Sequence, residues 1–170
     1  MNGKQIFLRA LEPEDLEFLY RLENDPLTWS VSDTLAPFSK HVLTQYLENA
    51  HLDIYTTKQL RFIIAENETR KPIGTIDLYD FEPTHLRAGV GVLIEEQYRT
   101  KGFASEALDL LHLYCANVLN MHQVFANIAP DNHKSIALFE KNNYQLIGIK
   151  RNWRRHNHEW IDELFYQKML

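Results

Sequence analysis

The sequence predicts an α/β protein built on a mixed, mostly antiparallel sheet. Three observations carry that reading. Three apolar strand runs, Leu60–Glu66, Ile73–Phe81 and Leu86–Ile94, follow one another with only turns between them, as in an antiparallel meander. A long helical pattern, Phe103–Leu119, then precedes a short strand run, Gln123–Ile128, and a helical crossover of this kind places a strand parallel to its neighbour. Two last runs, Tyr144–Arg151 and Trp160–Met169, read as an antiparallel pair.

The remaining elements follow in chain order. Gln5–Arg9 is a short strand. Pro13 suits the first turn of a helix, Glu14 and Asp15 suit its positive end, and Leu16, Leu19, Tyr20 and Glu23 keep helical spacing up to the stop at Asn24-Asp25-Pro26. Leu27–Phe38 is irregular. Ser39 caps a second helix, to Ala50, with Val42, Leu43, Tyr46 and Leu47 on its apolar face. Helical spacing in Phe103–Leu119 puts apolar residues at 104, 107, 108, 111, 115 and 118. A last helix, capped by Asp131 or Asn132, runs to about Lys141, and Asn142-Asn143 tolerate the left-handed backbone that ends it. The order is β-α-α-β-β-β-α-β-α-β-β, without a visible linker or repeat, so residues 1–170 are expected to form one domain.

Composition excludes several classes. A formal net charge of −5 disfavours broad nucleic-acid binding, although Lys150-Arg151-Asn152-Trp153-Arg154-Arg155 is a local basic cluster, read as a solvated loop between two strands. No apolar run is long enough to span a membrane and no signal pattern opens the chain, so a cytoplasmic protein is expected. The single cysteine, Cys115, lies on the apolar helix and reads as a buried structural thiol. His122, His156 and His158 have no companion donors at metal-ligand spacing, so no metal is expected.

The most informative stretch is Val90–Ala107. An apolar strand passes through a short polar turn into Gly102-Phe103-Ala104, where the long helix opens. Backbone N–H groups at such a helix start lack partners and share the positive end of the helix dipole, which is where phosphate binds. Gly102 lets backbone approach a ligand, Ala104 keeps the first turn small, and Arg99 and Lys101 add positive charge. Neither the nucleotide phosphate loop nor the dinucleotide fingerprint fits the glycine spacing.

Arg99-Thr100-Lys101-Gly102-Phe103-Ala104 resembles the R/Q-x-x-G-x-G/A signature of the GCN5-related N-acetyltransferases (GNAT). Asn127–Tyr144 resembles that family's second block, and Leu8–Leu16 its opening strand and helix. Together these cover nearly the whole chain in the family's order. The resemblance implies a six- to seven-stranded sheet with helices on both faces. It also implies acetyl transfer from acetyl-CoA to a primary amine through a tetrahedral intermediate. The acceptor is a polyamine, another small cationic amine, or a protein N-terminal α-amine; a CoA-binding module without activity is the alternative. A homodimer is common among such proteins.

By the same resemblance, pantetheine lies along the backbone of Val92, Leu93 and Ile94. Arg99, Lys101, Gly102, Phe103 and Ala104 take the pyrophosphate, and Asn132, Ser135 and Phe139 of the second block flank the cofactor arm. Two positions depart from the family. Phe139 stands where relatives carry a tyrosine acid, so either Tyr144, Tyr98 or water is expected to protonate the leaving thiolate, with Tyr144 preferred, or the thiolate leaves unassisted. Gly89 stands where many relatives carry a glutamate. Asp77 and Asp80 are the nearest carboxylates, Asp77 being the expected base or amine contact. Trp29, Tyr79 and Trp153 are candidate walls of the acceptor site, with Glu23, Asp25 and Asp33 as further acidic contacts.

Overall fold

The computed structural model describes residues 1–26, 29, 35–156 and 158–170, which places Asp33, Asn157 and most of Leu27–Ser32 outside the described residues. One seven-stranded sheet runs through the described chain in the order β1-β2-β3-β4-β5-β7-β6, with β1 Ile6–Arg9, β2 Leu60–Glu66, β3 Pro72–Glu82, β4 Arg87–Ile94, β5 Gln123–Ile128, β6 Gln145–His156 and β7 Glu159–Met169. All neighbours pair antiparallel except β4 and β5, the pair joined by the helical crossover. The meander, the crossover and the final hairpin are those expected from the sequence.

Helices cover both faces, and strand alternation decides which residues meet them. Helix α1, Leu16–Glu23, and α2, Lys40–Glu48, pack Phe18, Leu19, Leu22 and Leu43 on Phe7, Ile63 and Ala65. A four-residue helix, α3 at Ile54–Thr57, follows α2; it is too short to show a period in the sequence and is held by the Asp53 carboxylate, which accepts the Thr56 N–H at 2.8 Å. On the opposite face, α4, Phe103–Asn117, and α5, His133–Lys141, cover Leu8, Ile64, Ile76, Leu78, Val90, Val124 and Ala126.

The helix starts are fixed by the residues their sequences supply. Ser39 Oγ accepts the Val42 N–H and Asn132 Oδ1 accepts the Ser135 N–H. Asp15, 3% exposed, accepts the Glu12 N–H and two hydrogen bonds from the Arg9 guanidinium, both at 2.6 Å. That fork ties β1 to the start of α1.

The basic run Lys150–Arg155 is not a loop. It belongs to β6, where Lys150 and Arg154 pair with Glu163 and Arg151 with Asp162 of β7. Register breaks between Leu146 and Gly148 and between Lys150 and Arg154, with Asn152 at φ 49°, disguise the two-residue period that would have marked a strand.

Within the core under α4, Cys115 is fully buried and burial pushes its thiol up to about 12, fitting a structural role. His112 lies beside it on α4, its Nε2 2.9 Å from the Tyr144 hydroxyl, and burial brings its pKa down from 6.5 to about 4. Between those two values the unfolded chain binds a proton that the folded chain does not, so stability falls as pH drops through that window. Thermal melts of the wild type should therefore lose stability from pH 6.5 to about 4, with a shallower fall in His112→Gln. Leu108→Ala, at a fully buried α4 position, should cost about 2–5 kcal/mol in urea unfolding. Leu113→Ala, at a position 60% exposed on the same helix, should stay within about 0.5 kcal/mol of wild type.

Candidate active site

The site begins where two strands stop pairing. The parallel ladder of β4 and β5 holds only Arg87↔Gln123, Ala88↔Val124 and Gly89↔Phe125. Beyond Gly89, β4 stays paired with β3 as far as Gly74↔Ile94, while β5 stays paired with β7 as far as Ile128↔Leu164. Every second residue of Val90–Ile94 thus points its amide and carbonyl towards β5 without a strand partner there. Val92 and Leu93 are half-buried at this fork, and Ile94 is buried under the helices. An extended amide chain can pair with such an edge as an added strand does.

The end of β4 leads to the start of α4. Gly102 precedes the helix at φ +90°, and a Cβ built on it meets nothing within 4 Å, so backbone conformation rather than packing calls for glycine. No side chain caps the helix, and its first internal bond runs from the Glu106 N–H to the Gly102 carbonyl. The N–H groups of Phe103, Ala104 and Ser105 therefore have no acceptor within the helix. Arg99 Nε donates to the Ile94 carbonyl at 2.8 Å, tying the turn to the strand, and exposed Lys101 lies 5.3 Å from the Tyr98 ring. Glu106, the acid of the first turn, is drawn away to Gln5. Free N–H donors, a helix dipole and two cationic side chains suit a diphosphate. Phe103 points its ring into the core, so only its backbone faces this cradle.

The α5 residues divide. Asn132 spends its side-chain oxygen on the Ser135 N–H, and both residues are half-buried at the helix start. Phe139 is buried, edge-on to the Tyr144 ring at 4.8 Å. Tyr144 corrects one expectation. Its hydroxyl is buried in the core against His112 and burial pushes its pKa far up, so it does not present a proton at the fork.

On the face away from α4, Asp77 and Tyr79 of β3 stand beside Gly91 and Gly89 of β4, respectively. A Cβ at Gly89 would come within 2.3 Å of the Tyr79 ring, which explains why no carboxylate stands at 89: the phenol occupies that volume. A Cβ at Gly91 would lie 4.0 Å from both Asp77 Oδ2 and Tyr79 Cε1, so the bare glycine floors a hollow between them. Arg61 donates to Asp77 at 2.5 and 3.2 Å and to Glu23 at 2.5 Å, beneath the Tyr46 ring. Burial works against the Arg61 charge, but the nearby Asp77, Tyr46 and Glu23 more than offset it and hold the guanidinium above its ordinary pKa. Trp29 donates its indole N–H to the Glu23 carbonyl, and half-buried Asp25 follows the end of α1. Asp80 is exposed on the β3 bulge at φ 49°, and Trp153 is exposed on β6.

A family model described as the acetyltransferase (GNAT) domain matches residues 5–145. The chain belongs to the GNAT family. Among its relatives, the spermidine N(1)-acetyltransferase of Vibrio cholerae is 29% identical over 141 residues, covering 83% of this chain and 79% of that one. The uncharacterized N-acetyltransferase YoaA of Bacillus subtilis is 30% identical over 159 residues, covering 92% and 89%. A crystal structure of the Vibrio cholerae spermidine N-acetyltransferase, in complex with CoA and spermine, superposes with a TM-score of 0.85 at 26% identity, covering 97% of this chain and 95% of that one. The protein is thus an acetyltransferase of the GNAT type. Among the described residues no helix is long and apolar enough to cross a membrane, and no group of three or more His, Cys, Asp or Glu could hold a metal.

Arg61, Asn127 and Glu163 also lie around this fork, and of the three only Asn127, at the start of the second block, had a local mark in the sequence. The two-residue period would have found Asn127, which shares a face with Phe125 on β5. Arg61 and Glu163 needed the strand order.

Gly102 gives a direct test of the cradle. Gly102→Ala should cost about 1–2 kcal/mol through its backbone conformation alone. Gly102→Glu should in addition weaken coenzyme A binding roughly tenfold or more beyond the Ala variant, read by calorimetry.

Proposed function

We propose that this GNAT protein acetylates a primary amine of a small cationic acceptor of the polyamine class, with acetyl-CoA as donor. The observation that carries this reading is the Gly91 hollow. It places Asp77 Oδ2 beside the strand fork, with Glu23 behind it. The spermidine acetyltransferases among the relatives support the acceptor class, and the CoA-bound neighbour supports the donor.

When bound, acetyl-CoA supplies the acetyl group already activated as a thioester. The chain's own residues do the rest. The β4 edge at Val92, Leu93 and Ile94 pairs with the amides of the pantetheine arm. The N–H groups of Phe103 and Ala104, with Gly102, Arg99 and Lys101, hold the diphosphate. Asn132, Ser135 and Phe139 flank the arm from α5. An unpaired amide at the fork also suits the negative charge that develops on the carbonyl oxygen, a contribution of roughly 3 kcal/mol in comparable sites.

An alkylamine titrates near 10 in water, so the acceptor arrives as an ammonium and must lose a proton. Arg61 holds both carboxylate oxygens of Asp77, the longer bond, 3.2 Å, falling on Oδ2, whose remaining lone pair attracts the ammonium and draws off its proton through water. Glu23 shares the Arg61 charge, so the trio of Glu23, Arg61 and Asp77 carries one net negative charge. Asp80, out on the bulge, suits a second, distal ammonium, and Trp29 walls the α1 side. The formal charge of −5 favours approach of a polycation.

Thiol release measured across diamines, polyamines, aminoglycosides and peptide amines tests this reading. Turnover should appear with diamines and polyamines, and activity confined to peptides would reject the small-amine acceptor. Asp77→Asn should lower kcat/KM for the amine about 10- to 100-fold while leaving the calorimetric affinity for coenzyme A within about twofold. Unchanged kinetics would remove Asp77 from the site.

A further inference from the structure

This inference deepens the acetyl-transfer reading and rests on it. Loss of the thiolate calls for a proton, and Phe139 has none to give. Tyr144 is already engaged by His112 in the core, and Tyr98 lies at the diphosphate end between Lys101 and Phe103. Tyr46 rides on Arg61.

Tyr79 is placed differently. Its ring starts on β3, lies across β4 against Gly89, and meets Phe125 of β5 edge-on at 5.9 Å. Its hydroxyl ends 3.5 Å from Asn127 Nδ2. Asn127 is on β5 past Phe125, the last residue paired with β4, so the hydroxyl stands over the fork itself. The amide is oriented from the other side. Lys150 Nζ donates to Asn127 Oδ1 and to Glu163 Oε2, each at 2.8 Å, and its ammonium lies over the Phe165 and Trp153 rings. An ammonium can only donate, so the oxygen of Asn127 faces Lys150 and its NH₂ faces Tyr79. The phenol oxygen then accepts, and its own hydrogen is left for the fork.

We propose that Tyr79 is the catalytic acid that protonates the departing thiolate, with Asn127 and Lys150 as its positioning residues. The acceptor nitrogen uses its lone pair to form the C–N bond to the thioester carbon. The C–S bond breaks with its electron pair going to sulfur, and the Tyr79 O–H proton joins that sulfur. The phenolate regains a proton, through water, from the one the nitrogen sheds, so the products are the amide and the free thiol. Burial pushes the phenol up to about 12, which keeps its proton in place at neutral pH.

Tyr79→Phe keeps the ring packed on Gly89 and removes only the hydroxyl. It should lower kcat about 100-fold, with both KM values within about twofold and an unchanged melting temperature. Replacing Tyr79 by 3-fluorotyrosine, a more acidic phenol, should move the alkaline limb of the kcat profile to lower pH. Asp77 and Asp80 of β3, Glu163 of β7 and Lys150 of β6 are the charged groups around the phenol, and this replacement leaves them all in place. The fluorine NMR signal of that protein should shift on addition of coenzyme A, and Asn127→Ala should change the pH at which it titrates. A Tyr79→Phe kcat within twofold of wild type overturns the proposal. So does an alkaline limb that stays put, or a fluorine signal unmoved by saturating coenzyme A. A wild type that turns over no amine, while the fluorine signal of the 3-fluorotyrosine protein still moves with coenzyme A, overturns the acetyl-transfer reading itself, and the donor role with it.

Discussion

The short ladder between β4 and β5 governs the site. Three residue pairs hold the two strands together, and then each keeps only its outer partner. A sheet interior that leaves amides without partners is costly unless something else bonds to them. Here the open edge offers an extended ligand backbone the bonds that would complete the sheet. The uncapped start of α4 lies at one end of that opening and the Gly91 hollow at its side. In the proposed function, binding the donor and presenting the acceptor are two outcomes of one interrupted pairing.

The glycines of β4 extend the argument from backbone to side chains. Gly89 yields its volume to Tyr79, and Gly91 yields it to whatever stands between Asp77 and Tyr79. A side chain at Gly89 would collide with the Tyr79 ring, and one at Gly91 would fill the hollow beside Asp77. The polar groups around the hollow are tied in two chains. Arg61 links Glu23 to Asp77, and Lys150 links Asn127 to Glu163. Each chain runs between different strands or helices, so the charges are held by the fold rather than by a loop.

Much of this was legible in the sequence where the signal was local. The Gly102 turn, the Asn132 cap, the meander and the crossover each follow from neighbouring residues or a clear period. What escaped was set at long range. The role of Gly89 depends on Tyr79, which sits across the strand pair, and the displacement of Tyr144 depends on His112, a partner 32 positions away. The basic run on β6 misled because two register breaks interrupt its alternation. Helix α3 escaped because four residues make barely one turn.

Strand β6 forms one border of the sheet, and Leu146, Ile147 and Ile149 along it are exposed. A straight, greasy border of that length would invite strands of other molecules to zip onto it. The two irregularities work against such zipping, because they bend the backbone and interrupt its alternation. The stretch that looked like surplus positive charge is thus ion-paired to β7 and carries one of the bends that blunt this edge.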